Sequence, residues 1–136
     1  MRLRVTPLPL LALLAASAAF AIRDAVTRVP KQANITAACN PSGNPSVNPP
    51  RIDMLRVDHV EWRSVSPGAV AWTITPKDPT NWPWAEESFT GTPDAPAVTP
   101  QPLPGALLNH VYSYNVTVVC RNGTTQLIDP DIIIGE

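Results

Sequence analysis

Four side chains could in principle hold a transition metal: His59, His110, Cys120 and Met54. Two imidazoles, one thiolate and a weak thioether are the ligands of a blue-copper centre. Their order argues against one. No His or Met follows Cys120, and His110 precedes it by ten residues on what reads as a single strand, about 33 Å away if fully extended. A metal site is therefore not expected. His59 and His110 are left as weak candidates for a looser surface contact, and a solvent-facing histidine is the plainer reading of each.

Nucleophilic catalysis needs a Ser or Cys within reach of a base that a third group orients. With two histidines the possibilities are few. His59 sits between Asp58 and Val60, but neighbours on a strand point to opposite faces, so Asp58 is poorly placed to orient its ring. Asn109 beside His110 does no better. Carboxylate pairs of the kind hydrolases use occur as Glu86 with Glu87 and Asp129 with Asp131. The first pair reads as a solvated loop, and the second flanks Pro130 as turn chemistry. No catalytic residue is assigned, and the chain is expected not to be an enzyme.

Residues 81–84 read NWPW, with Phe89 shortly after. Indoles on a proline-stiffened loop offer flat apolar faces at low entropic cost, suited to sugar rings or peptide partners. Trp82, Trp84 and Phe89 are thus the candidate ligand or partner surface. The competing reading folds the two indoles back as a plug over the core. Few other large side chains are available to fill it, since the chain has four Trp, two Phe and two Tyr in all.

The elements that position these residues begin with an address. Arg2 and Arg4 precede an apolar run over residues 8–16, followed by small residues with A-x-A sites ending at Ala18 and Ala21. This is the layout of a secretory signal peptide, cleaved after Ala21 or alternatively Ala18. The run is too short to span a bilayer, which takes about 20 apolar residues, so no stable membrane span is expected. Domains follow as 1–21 signal peptide, 22–32 flexible lead and 33–136 one folded domain. Removing Arg2 and Arg4 leaves eight Lys and Arg against eleven Asp and Glu, a net charge near −3. No basic patch points to nucleic acid, because Arg51, Arg56 and Arg63 are interleaved with Asp53, Asp58 and Glu61.

Export to the periplasm or beyond exposes Cys39 and Cys120 to an oxidising compartment. Joining them would close a loop of about 80 residues, stabilising by roughly 4 kcal/mol in the chain-entropy model. Free thiols or metal ligands are the alternatives. Both cysteines share parity with apolar neighbours: Ile35 and Ala37 in one case, Tyr112, Tyr114, Val116 and Val118 in the other.

Seventeen prolines leave no room for a long helix. The pattern predicts an all-β domain. Residues 39–50, CNPSGNPSVNPP, read as a connection. Residues 52–63 carry two overlapping period-2 patterns, VSPG at 65–68 a tight turn, and residues 69–75 a half-buried strand. These suggest a hairpin with Trp62 and Trp72 as inward partners. Residues 76–104 read as a long surface excursion in which 87–90 and 97–99 pair with an edge. Loops of that length are usually functional or disordered, which makes this stretch the expected place of a binding surface. Residues 111–120 form a strong strand, Asn122-Gly123 favours a type I′ turn, and residues 125–129 return. The apolar strand at 131–134 should lie centrally in a sheet. About seven strands in a two-sheet antiparallel β-sandwich are the expected outcome.

The order of an N-terminal strand, a Pro/Gly turn, V-x-W at residues 60–62, a PG turn, V-x-W at 70–72 and the ending YSYNVTV…NGTTQLIDPDIII resembles small secreted bacterial β-sandwich proteins of uncharacterised function. The resemblance spans residues 33–136. It implies a fold similar to cupredoxin-like or immunoglobulin-like domains and carries no catalytic residues. Cupredoxins place Cys, the second His and Met in one C-terminal loop, which this chain lacks. Immunoglobulin domains place Tyr two residues before the second Cys, where Val118 stands. The function expected is a non-catalytic periplasmic or secreted domain, without cofactor, that binds a protein or cell-envelope partner. The alternative is a small-ligand module that takes carbohydrate through Trp82 and Trp84 or a metal ion through the histidines.

Overall fold

A computed structural model describes residues 30–37, 39 and 43–136. The expected signal peptide, 1–21, and most of the expected lead lie outside them. Ten strands appear among the described residues: β1 (Lys31–Thr36), β2 (Ser46–Asn48), β3 (Arg51–Leu55), β4 (Val60–Ser64), β5 (Ala69–Pro76), β6 (Phe89–Gly91), β7 (Ala97–Val98), β8 (Val111–Cys120), β9 (Thr125–Ile128) and β10 (Asp131–Gly135). The only helical element among these residues is a 3-10 turn at Pro79–Asn81. One sheet has the order β2-β1-β4-β7; the other is β3-β10-β8-β5-β6, with β9 also paired to β8.

Alternation supplies the inward faces. Along β8, Tyr112, Tyr114, Val116, Val118 and Cys120 are buried, and β10 contributes Ile132 and Ile134. From the four-stranded sheet come Ala33, Ile35, Val60 and Trp62, and all join one hydrophobic core with Trp72 and Ile74 of β5.

The sheets are mixed, which corrects the antiparallel expectation. β1 runs parallel to β4, with Lys31 opposite Val60, and β3 runs parallel to β10, with Ile52 opposite Ile132. Consecutive β3 and β4 lie in different sheets, so each pairs with a strand from one end of the domain. Parallel pairs need long connections, and those distant partners provide them. β1 also takes in Lys31 and Gln32, assigned above to the lead, because Lys31 N donates to His59 O (2.9 Å).

The expected hairpin at VSPG is instead a crossing between sheets. Val65 N donates to Ile35 O (3.0 Å) and Arg121 N to Gly68 O (2.8 Å), so the flanks of the turn bond to β1 and to the end of β8, not to each other. Trp62 and Trp72 still meet, but through the core: Trp72 Nε1 donates to Trp62 O at 3.0 Å. The count exceeds seven partly because β2 forms inside the stretch read as a connection, pairing Val47 with Ile35. Residues 52–63 also divide, into β3 and β4, whereas Pro130 separates β9 from β10 as expected. Ile128 opposite Val116 and Ile132 opposite Tyr112 are in one register along β8; between them Pro130 has no N–H to give and only accepts from Tyr114 N (3.1 Å).

β10 lies between β3 and β8, the central position expected for it. The turn after β8 is not type I′. Gly123 alone of the Asn-Gly pair has positive φ (85°). Gly123 N donates to Cys120 O (2.9 Å) while Cys120 N donates to Thr124 O (2.8 Å), the pattern of a three-residue loop closed by a glycine bulge. Asn122 Oδ1 accepts from Thr124 N (3.0 Å) and holds that geometry.

Candidate functional site

The pairing of Cys39 with Cys120 is realised as a disulfide, Cα–Cα 5.5 Å. It joins the segment after β1 to the end of β8 and so ties one sheet to the other. Gly68 is packed against it, since a Cβ there would stand 2.8 Å from Cys39 Cβ. Both sulfurs are consumed, which removes the thiolate a blue-copper centre requires.

The excursion over residues 76–104 is a folded cap. As expected, short pieces of it pair with the sheets: Phe89 of β6 lies opposite Ile74 of β5, and Ala97 of β7 opposite Trp62 of β4. The two pieces thus bridge the layers. Gly91 permits this closeness, because a Cβ would fall on the Trp72 indole and 2.6 Å from Ala97 N.

Of the three aromatic residues proposed as a surface, two are core. Trp84 is 4% exposed and Phe89 7%. Their rings meet edge-on at 5.6 Å, Phe89 continues to Trp62 at 6.3 Å, and Trp62 to Tyr114 at 5.7 Å. Burying them is feasible because the indole N–H groups find acceptors: Trp84 Nε1 donates to Pro100 O (2.9 Å) and Trp62 Nε1 to the Tyr114 hydroxyl (3.1 Å). Desolvation pushes the Tyr114 phenol well above its ordinary range. Trp84 and Phe89 therefore plug the core. Trp82 is only half-buried; it leans on Trp84 at 5.0 Å and donates from Nε1 to Glu86 O (3.1 Å).

Trp82 also forms one wall of an open cleft of about 300 Å³. Thr80 and Asn81 of the 3-10 turn continue that wall, and Tyr112 with Leu103 and Leu107 forms the other side. Asp78 caps the turn by accepting from Thr80 N (3.1 Å), and the Thr80 hydroxyl and N–H hold its carboxyl below the usual carboxylate range. Asn81 Nδ2 lies 2.6 Å from His110 Nε2, a hydrogen bond between the amide and the imidazole. Asn81 Oδ1 is left as an acceptor.

The opposite wall is held through its backbone. Arg56 Nη2 donates to Ala106 O (2.9 Å), and Nη1 to Pro104 O. The Tyr112 hydroxyl accepts from Leu107 N (2.6 Å) and donates to Leu107 O (3.0 Å), and burial pushes its ionisation upward. Leu103 N donates to Pro83 O (2.8 Å), joining the two walls at their base. Leu103 and Leu107 are nevertheless 44% and 52% exposed.

The other sequence candidates lie apart from this arrangement or are engaged in it structurally. His110 is bonded to Asn81 and packs edge-on against Tyr112 at 4.8 Å. The backbone carbonyl of His59 receives Lys31 N. No group of three or more His, Cys, Asp or Glu side chains converges among the described residues. Asp129 pairs with Lys77, Asp131 accepts from the Ser113 hydroxyl (2.7 Å), and Glu86 and Glu87 are solvated. Sequence reasoning passed over Arg56, Leu103, Leu107 and Tyr112. The first looked like one of three scattered cations, and nothing local tells an exposed leucine from a buried one in a proline-rich stretch.

No protein-family model matches the sequence, and neither does any curated protein.

Proposed function

We propose that this chain is an exported, non-catalytic binding domain, a two-sheet β-sandwich of the cupredoxin-like or immunoglobulin-like kind, which contacts a protein or cell-envelope partner through the cleft end. The observation that carries this reading is the loop at residues 103–107. Four of its carbonyls and three of its N–H groups are engaged from within the domain, by Arg56, Tyr112, Pro83 and its own turn, while Leu103 and Leu107 face solvent. Folding alone gains nothing from fixing exposed leucines, whereas a pre-ordered apolar rim lowers the entropic cost of association. Exposed apolar side chains grouped around a concavity mark contact surfaces more often than isolated ones do.

A non-catalytic role is supported by His110, whose Nε2 is occupied by an amide instead of a hydroxyl or thiol. Export to the periplasm or outside is supported by the disulfide. Among the described residues no helix is long and apolar enough to cross a membrane.

The test replaces Leu103 and Leu107 together by Asp and measures retention of the chain on the envelope fraction of the producing cell. Retention should fall at least tenfold, equivalent to 1.4 kcal/mol, with the thermal midpoint unchanged. Equal retention of variant and native chains would remove the reading.

A further inference from the structure

We infer that the Trp82 cleft takes a neutral pyranose ring, making the envelope partner a glycan; this rests on the binding reading above and specifies its chemistry. The lining is the first reason. Every side chain around the cleft is uncharged: Thr80 and Asn81 on one wall, Trp82 beside them, Tyr112 and the two leucines across from them, with Gly105 and Ala106 adding no bulk. The nearest charges are of opposite sign and already engaged, Asp78 by Thr80 and Arg56 by the carbonyls of residues 104 and 106, so the cleft favours neither an anion nor a cation. A wholly apolar ligand would bury the amide of Asn81 without a partner for Oδ1, which costs more than a made hydrogen bond returns.

A ligand with one C–H face and a rim of hydroxyls meets both demands, the face against the Trp82 indole and a hydroxyl donating to Asn81 Oδ1. Size gives the second reason. About 300 Å³ is at the lower end of small-molecule sites and suits one or two sugar rings. An extended proline-rich peptide, the other partner of aromatic grooves, fits less well. The domain already fills that role internally, with Trp84 Nε1 donating to Pro100 O and Pro102 buried. Preorganisation is the third reason. The Asn81 amide is oriented by His110, and the Tyr112 hydroxyl has both its donor and an acceptor position used by Leu107.

The experiment is an NMR titration of the full chain with cellobiose, maltose and N,N′-diacetylchitobiose, beside a proline-rich decapeptide. At least one disaccharide should shift the Asn81 side-chain amide, the Trp82 indole and the Leu107 amide saturably, and the peptide should not. Asn81→Ala should weaken that disaccharide about fivefold, as expected for one hydrogen bond, and Trp82→Ala should abolish the effect. Asn81→Ala keeps the test valid if loss of Trp82 disturbs the cap. No shift with any sugar, shifts indifferent to both substitutions, or shifts with the peptide alone would each overturn the inference. If sugars fail while the Leu103/Leu107 variant is still released from the envelope, the binding reading survives and only the glycan is lost.

Discussion

β8 has two different ends, about 26 Å apart over the eight residue steps from Tyr112 to Cys120. At Cys120 the domain is closed covalently by a disulfide to Cys39, with Gly68 against it and a tight glycine turn following. Around Tyr112 the closure is made by side chains reaching to loop backbone: Arg56 to residues 104 and 106, Tyr112 to Leu107, Trp84 to Pro100. The first arrangement acts largely by restricting the unfolded chain. The second consists of bonds worth about 1 kcal/mol each, so it fixes local shape while adding modestly to global stability. Binding surfaces are drawn from regions of the second kind.

The largest expected effect tests the covalent end. Replacing both Cys39 and Cys120 by Ala should lower unfolding stability by about 4 kcal/mol in urea titration. A loss below about 1 kcal/mol would mean that the cap alone closes the domain and the contrast is false. Next comes the pair of neighbouring indoles. Trp84→Ala should cost about 3 kcal/mol by opening the core, and Trp82→Ala about half as much, since part of its surface is already wet. Equal losses would make Trp82 core and erase the distinction between plug and cleft wall.

The smallest effect is the sharpest on the cleft end. Arg56→Ala should reduce global stability by about 1 kcal/mol, while amide exchange at residues 105–107 accelerates more than exchange along β8. If exchange at both places changes by the same factor, the loop opens only with the whole domain.

Much of this was legible along the chain. The inward parity of Ile35 and Ala37, and of β8 from Tyr112 to Cys120, is written in alternation, because side-chain direction in a strand repeats every two residues. The central place of β10 followed from its unbroken apolar run. Parallel pairing was not legible: β1 with β4 and β3 with β10 depend on which sheet each strand joins, and VSPG reads the same whether it closes a hairpin or crosses between layers. For the cleft, NWPW marked the place, but whether each indole faces solvent depends on acceptors such as Pro100 O, sixteen residues beyond Trp84.

The sequence by itself determined an all-β chain, its strong strands, and two cysteines whose parity suited a clamp; these follow from local alternation, proline content and covalent chemistry. The tertiary structure alone decided that the sheets are mixed, that Trp84 and Phe89 are core while Trp82 is partly open, and that Leu103 and Leu107 stand on a rigid rim. Those outcomes depend on hydrogen bonds between residues tens of positions apart, such as Arg56 to Ala106, and no local pattern encodes a partner at that distance.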